Sequence, residues 1–193
     1  MPILTKNDCI RMAEIFPDLN CSEAEQKVWG TLWVKASYNS TLNRLFFSDE
    51  EDHFIEDDYE IEIDFRGDNS INNVPIVYER SQIIRSFAES EKMSLIDFHV
   101  YDDDSCCLGI FPEYQWQNSV HFIQSKVIPF FYWQSYRRMH GYEPWKALSH
   151  GKLGFAEGCC EFITNRKEAK KGCNRNQPCF CGSGKKTKFC CGK

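Results

Sequence analysis

Residues 58–65 read Asp-Tyr-Glu-Ile-Glu-Ile-Asp-Phe, an alternation of acidic with large apolar side chains. Successive side chains of a strand point to opposite faces, so this period of two is typical of a strand that buries one face and exposes the other. Residues 28–38 are rich in β-branched and aromatic side chains, and residues 73–79 carry Pro75, which an edge strand tolerates. Together these stretches predict a small antiparallel meander.

Helical signals precede the meander. Apolar side chains recur at helical spacing over residues 8–16, and Pro17 can end that helix. Ser22, followed three residues later by Glu25, matches a capping box and predicts the start of a second helix.

Helical signals also follow the meander. Apolar residues recur at helical spacing over residues 120–131, where Pro129 must kink or restart the helix because it lacks an amide hydrogen. A last helix is predicted over residues 154–162. Helix, antiparallel strands, an irregular loop and further helices predict an α+β fold.

Composition limits the class of protein. The chain has 193 residues and is 42% hydrophobic, enough to bury one substantial core. Neither a signal peptide nor a run of about eighteen apolar residues is present, so we expect a cytoplasmic protein without a membrane anchor. The chain contains 11 cysteines. We expect thiols, metal ligands or a nucleophile rather than a disulfide framework, because the cytoplasm keeps thiols reduced.

Charge divides the chain near residue 164. From there to the end nine Lys or Arg residues stand against one acid, whereas the preceding residues carry 14 basic and 27 acidic side chains. We therefore predict a main domain over residues 1–163, a charged linker over 164–172 and a small module over 173–193. The tail lysines could touch an acidic partner or nucleic acid, or simply keep the module soluble, and of these partners nucleic acid is the less expected.

The cysteines of the tail have the spacing of a metal site. Four of them fall within thirteen residues, as two closely spaced pairs: Cys179, Cys181, Cys190 and Cys191. Four thiolates can close a tetrahedral zinc site, and so short a segment has too little apolar surface to fold without metal. We therefore predict one structural zinc ion. Cys173 lies outside the pattern.

The tail resembles a known module. Residues 174–192, Asn-Arg-Asn-Gln-Pro-Cys-Phe-Cys-Gly-Ser-Gly-Lys-Lys-Thr-Lys-Phe-Cys-Cys-Gly, resemble the SEC-C motif, the zinc-binding module named for the C-terminus of the SecA translocation motor. The resemblance covers the tail only. It implies a docking or recruiting role and no chemistry.

The main domain resembles the ubiquitin-conjugating enzymes, the UBC fold. Residues 58–65 are similar to that family's Tyr-x-Ile-x-Ile-x-Phe strand, residues 73–79 to its Pro-x-Val strand, and His99 followed by Cys107-Leu108 to its histidine signature and Cys-Leu nucleophile. The resemblance implies an N-terminal helix, a four-strand meander, a cysteine loop and C-terminal helices. It also implies an acyltransferase with a thioester-forming cysteine.

A narrower resemblance rests on Trp145, the pair His150-Gly151 and the SEC-C tail. With these features the chain is similar to the conjugating-enzyme-like proteins of short type II CBASS anti-phage operons. This resemblance implies that the cysteine forms a thioester with the C-terminal glycine of a partner, a cGAS/DncV-like nucleotidyltransferase, and passes it to an amine.

Two adjacent cysteines, Cys106 and Cys107, are candidates for the nucleophile. In an extended segment neighbouring side chains point oppositely, so one thiol should face the core and the other solvent. The family's Cys-Leu pairing selects Cys107. Both could instead be small buried hydrophobic residues, since unpaired cysteine is often buried.

Three nearby residues are candidate helpers. Val100-Tyr101 stands where the family has Pro-Asn, so an oxyanion would need other donors, which could be Ser105, Tyr101 or loop N–H groups. His99 could shuttle a proton or pin the loop by a hydrogen bond, and we favour the structural role.

Three functions stay open at this point. The first is the acyl-carrying conjugating enzyme, and the second is an inactive adaptor of the same fold that binds a partner's tail. The third, a thiol hydrolase or redox protein, is weakest because no Cys-x-x-Cys pair occurs in the sequence.

Overall fold

The structure is a computed structural model that describes residues 4–42, 44–47, 54–66, 74–109 and 118–147, together with Asn176 and Lys186. The chain divides into two compact units, residues 1–108 with 118–147, and residues 109–117 with 148–193. The helices and strands below belong to the first unit. The predicted domain boundaries, the helix over 154–162 and the four tail cysteines lie outside the described residues.

Five antiparallel strands form the sheet. They are β1 (Leu19–Ser22), β2 (Lys27–Asn39), β3 (Arg44–Phe46), β4 (Ile55–Asp64) and β5 (Ile76–Glu79). Their order is β1-β2-β4-β5, with β3 paired to β2. The antiparallel sheet predicted from the sequence is confirmed, and β4 has the predicted alternation: Tyr59, Ile61 and Ile63 are buried while Glu60 is exposed. Each buried side chain of this size contributes about 1.5–3 kcal/mol.

Helix α1 (Lys6–Ile15) matches the first predicted helix and begins with a capping box between Thr5 and Asp8. The second predicted helix is wrong. Ser22 ends β1, and its hydroxyl accepts the Glu25 N–H at 3.2 Å within the turn that leads into β2. The same short-range hydrogen bond can begin a helix or close a turn, and here the pairing of β1 with β2 decides for the turn.

Helix α2 (Ile83–Ser90) and a 3₁₀-helix (Leu95–Phe98) follow β5. Neither was predicted. The residue before α2, Gln82, gives no side-chain cap. Instead the buried carboxylate of Glu79 accepts hydrogen bonds from the Ser81 hydroxyl and, at 3.4 Å, from the Ile83 N–H.

The last described helical stretch contains α3 (Ser119–Phe122), a π-helical turn (Ile123–Val127) and α4 (Ile128–His140). Pro129 lies in the first turn of α4, where its missing amide hydrogen costs nothing, so the predicted restart at this proline is confirmed. The buried residues of α4 pack on the inner face of the sheet; the ring centres of Phe131 and Tyr59 are 4.6 Å apart. The fold is therefore α+β, an antiparallel sheet with helices after it.

Helix α1 is tied to β1 by a disulfide between Cys9 and Cys21, whose Cα atoms are 5.2 Å apart. The expectation that the cysteines are not disulfide-bonded is wrong for this pair. Packing of α1 on β1 brings the two Cα atoms within the distance that a disulfide spans, and spacing along the chain carries no sign of it.

Among the described helices, none combines the length and the apolar composition that crossing a bilayer requires.

Candidate active site

The two candidate cysteines lie on a short hairpin built by residues 99–107. Val100 pairs with Cys106 in an antiparallel bridge. The Cys107 N–H donates to the His99 carbonyl at 2.7 Å, and the Tyr101 N–H donates to the Ser105 carbonyl at 2.9 Å. The turn of the hairpin is therefore the acidic stretch that follows Tyr101.

The hairpin is also joined to the edge of the sheet. The Cys106 N–H donates to the Val77 carbonyl at 2.7 Å, and the Glu79 N–H donates to the Asp104 carbonyl at 3.0 Å. The cysteine segment is thus hydrogen-bonded on both sides, by β5 and by residues 99–101. Backbone held in this way positions a side chain more precisely than an unpaired loop does.

The two thiols have different surroundings, although both residues are half-buried. The thiol is the buried part of Cys106, and this burial, with the negative charge of Glu79, raises the pKa of the Cys106 thiol well above its ordinary value. The Cys107 thiol lies beside the Tyr101 hydroxyl, close enough for the two groups to interact. The opposite orientations expected in an extended segment are present. The choice of Cys107 as nucleophile stays a prediction.

Tyr101 lies at the surface of the hairpin and is 52% exposed. Its hydrogen bond to Cys107 and its partial burial raise the pKa of the Tyr101 hydroxyl to about 12. The hydroxyl therefore keeps its proton at neutral pH. It can donate a hydrogen bond to a sulfur anion or to an oxyanion formed beside that sulfur.

Ser105, the other predicted donor, is engaged within the turn. Its hydroxyl donates to the Asp103 carboxylate at 2.6 Å, and its N–H donates to the same oxygen at 3.0 Å. These hydrogen bonds lower the pKa of Asp103. Ser105 would have to leave Asp103 to donate to an oxyanion.

His99 ends the 3₁₀-helix with a positive φ of 55°. Its carbonyl receives the Cys107 N–H, and its ring meets the ring of Trp133 edge to face at 5.8 Å. The hydrogen bond closes the hairpin, and the ring contact packs the hairpin against α4. Both contacts are of the kind that a structural role for His99 needs.

Two residues that sequence reasoning missed hold the turn. Arg85 donates to one oxygen of the Asp104 carboxylate at 2.7 and 3.2 Å and to the Asp102 carbonyl at 3.0 Å. Gln82 donates to the second Asp104 oxygen at 2.9 Å. Asp104 has a positive φ of 65°, and these contacts stabilise that conformation. Arg85 and Asp104 are 19 residues apart, so no local pattern could have paired them.

No group of three or more His, Cys, Asp or Glu side chains that could hold a metal ion occurs within the described residues. The four tail cysteines that we predicted as zinc ligands lie outside those residues.

One comparison with known proteins gives a match. The chain is 58% identical over 41 residues to the protein translocase subunit SecA of Syntrophobacter fumaroxidans. The match covers 21% of this chain and only 5% of the SecA chain. It agrees with the SEC-C resemblance of the tail and carries no information on the activity of the main domain. No family model matches the chain. No solved structure matches it either.

Proposed function

We propose that the chain is a UBC-fold acyltransferase whose nucleophile is Cys107. In the first step the Cys107 thiolate attacks the activated C-terminal carbonyl of a partner protein, the activating group leaves, and a thioester forms. In the second step an amine attacks the thioester, the thiolate leaves, and the amine loses a proton as an amide forms. Dividing one acyl transfer between two steps in this way is the advantage of a thiol nucleophile.

The observation that carries this proposal is the position of the Tyr101 hydroxyl beside the Cys107 thiol, close enough to interact with it. A protonated donor thus lies beside the attacking sulfur, near the carbonyl oxygen that would become an oxyanion, and at the sequence position where the family has an asparagine. A donor that is already in position stabilises such a charge without reorganising. Cys106 is less suited, because burial of its thiol raises its pKa and so opposes formation of the thiolate.

The identity of the acyl donor comes from the resemblance described above. We propose a cGAS/DncV-like nucleotidyltransferase that offers its C-terminal glycine, within an anti-phage defence system. The antiparallel sheet with helices after it is compatible with a UBC fold.

The tail is proposed to bind zinc through Cys179, Cys181, Cys190 and Cys191. Four closely spaced thiolates are the donor set that structural zinc prefers, and the SecA match supports a module of this kind. The metal would act as a crosslink that folds the tail. The proposed role of the tail is to recruit a protein partner.

The test is to express the full chain with the nucleotidyltransferase of its own operon and to look for an adduct that a reducing agent cleaves. We expect Cys107→Ala to lose the adduct and Cys106→Ala, the matched control, to keep it. Cys107→Lys should trap the acyl group as an amide that resists reduction and that mass spectrometry can identify.

The outcomes separate the candidate functions. An adduct lost only in Cys106→Ala would reverse the choice of nucleophile. Binding of the partner without any adduct would favour the inactive adaptor instead.

A further inference from the structure

Two tryptophans lie on the outer face of the sheet. On β2, Leu32 and Val34 are fully buried, whereas Trp29 and Trp33 on the opposite face are 37% and 43% exposed. A strand presents alternate residues to each face, so the two indoles stand on the same surface, about 13 Å apart along the strand. The outer face thus exposes two large aromatic side chains to solvent.

The charges around Trp33 are mostly negative. Asp58 on β4 lies directly across from Trp33. On the other side, the Asp18 carboxylate accepts the Trp33 indole N–H at 2.9 Å. Glu60, the next outward residue of β4, accepts the Thr31 hydroxyl. Asp18 and Asp58 therefore flank the exposed indole, and Glu60 lies one residue pair further along the same face.

The cations of this face are paired with other carboxylates. Ion pairs join Lys27 and Arg80 to Glu62, Lys35 to Glu56, and Arg66 to Asp64. Within the described part of the chain, none of the three carboxylates around Trp33 takes part in an ion pair. The Lys35 ammonium group lies 5.0 Å from the centre of the Trp33 ring, so this indole already accepts a cation.

The position of Asp18 depends on a glycine. Gly30 has a φ of +128°, and a Cβ there would lie 2.4 Å from the Asp18 carbonyl oxygen. That close approach lets the Asp18 carbonyl accept the Thr31 N–H at 3.2 Å and holds its carboxylate beside Trp33. The backbone thus fixes Asp18 at this surface.

We propose that the outer face around Trp33 binds an arginine-rich segment of a partner protein. A guanidinium group can stack on an indole while its N–H groups donate to neighbouring carboxylates, and an arginine side chain does both better than lysine. The exposed aromatic surface and the unpaired negative charge at the same place match that chemistry. This inference does not rest on the thioester reaction of Cys107.

The test uses the full chain and a short fluorescein-labelled peptide of alternating arginine and serine, with binding followed by fluorescence anisotropy. We expect Asp58→Lys to weaken binding by about fivefold or more, which corresponds to the loss of one cation contact. Glu14→Lys, which makes the same charge change on the exposed surface of α1, should leave binding within about twofold. Trp33→Leu should also weaken binding, and a matching lysine–serine peptide should bind less tightly than the arginine peptide.

Equal loss of binding in Asp58→Lys and Glu14→Lys would overturn the proposal, because it would show attraction to net charge alone. Absence of peptide binding to the unmodified chain would overturn it as well. So would an effect of Asp58→Lys on self-association without an effect on peptide binding, since the face would then join copies of this chain. If Trp33→Leu does not fold, the comparison of Asp58→Lys with Glu14→Lys still tests the proposal.

Discussion

The hydroxyl of Tyr101 lies beside the thiol of Cys107, its diagonal neighbour on one face of the cysteine hairpin. Cross-strand diagonals of this kind are within reach of an aromatic side chain. Tyr101 is exposed and Cys107 is half-buried, and the backbone hydrogen bonds of the hairpin keep the two side chains together.

Removal of the Tyr101 hydroxyl should slow reactions at Cys107. A donated hydrogen bond favours a sulfur anion, so Tyr101→Phe should reduce the rate at which iodoacetamide alkylates Cys107 by roughly threefold to tenfold. Peptide mass spectrometry measures that rate for each cysteine separately. Tyr142→Phe, a change at another exposed tyrosine, should leave it unaltered; equal rates in all three proteins would show that the hydrogen bond has no chemical effect.

Arg85 should matter to the same rate without touching sulfur. Its guanidinium holds the turn through Asp104 and the Asp102 carbonyl, so Arg85→Ala should loosen the hairpin. We expect a loss of about 1 kcal/mol in the free energy of unfolding, measured with urea, and a changed alkylation rate at Cys107. Arg11→Ala on the exposed surface of α1 provides the comparison. If Arg85→Ala lowers the free energy of unfolding but leaves the alkylation rate of Cys107 unchanged, then Arg85 supports only the fold.

The stability of the turn should depend on acid pH. Partial burial by itself would raise the pKa of Asp104, but the hydrogen bonds from Arg85 and Gln82 lower it below the ordinary value of 3.8. The folded chain therefore holds this carboxylate ionised more strongly than the unfolded chain does. The resulting stability is complete above about pH 5 and is lost progressively as pH falls toward the folded pKa.

Asp104→Asn should accordingly cost about 1 kcal/mol at pH 7, and its difference from the unmodified chain should shrink at pH values below about 4. Urea unfolding at several pH values measures both quantities. Asp102→Asn should show no such dependence, because the carbonyl of residue 102 still accepts the hydrogen bond from Arg85. A difference that stays constant down to pH 3 would contradict the argument.

The disulfide between Cys9 and Cys21 should stabilise the oxidised protein. It closes a loop of sequence separation 12, so Cys9→Ser should lower the free energy of unfolding by about 2–3 kcal/mol under non-reducing conditions. In a reducing buffer the free energies of unfolding of Cys9→Ser and the unmodified chain should differ far less. Intact-protein mass spectrometry that finds both thiols free in non-reduced protein would disprove the bond.

Zinc content should follow the tail cysteines. Elemental analysis should find one zinc ion per chain, and Cys181→Ser should lose most of it because a tetrahedral site needs all four ligands. Cys173→Ser should keep the metal, since this thiol lies outside the ligand pattern. Zinc content that Cys181→Ser leaves unchanged would refute the ligand set.

Several features were determined by the sequence itself. The alternation over residues 58–65 predicted β4 and its buried face, and Pro129 marked the helix restart. The opposite orientations of Cys106 and Cys107 followed from the same strand geometry. These properties depend on neighbours along the chain, and period and backbone stereochemistry encode them directly.

Other features were decided only by the tertiary structure. Ser22 and Glu25 make the same hydrogen bond in a helix cap and in a turn, so only the pairing of β1 with β2 could choose between them. The clamp of Arg85 on Asp104 likewise joins residues far apart in sequence. Such contacts depend on where the folded chain brings its segments together, and no short-range pattern of residues contains that information.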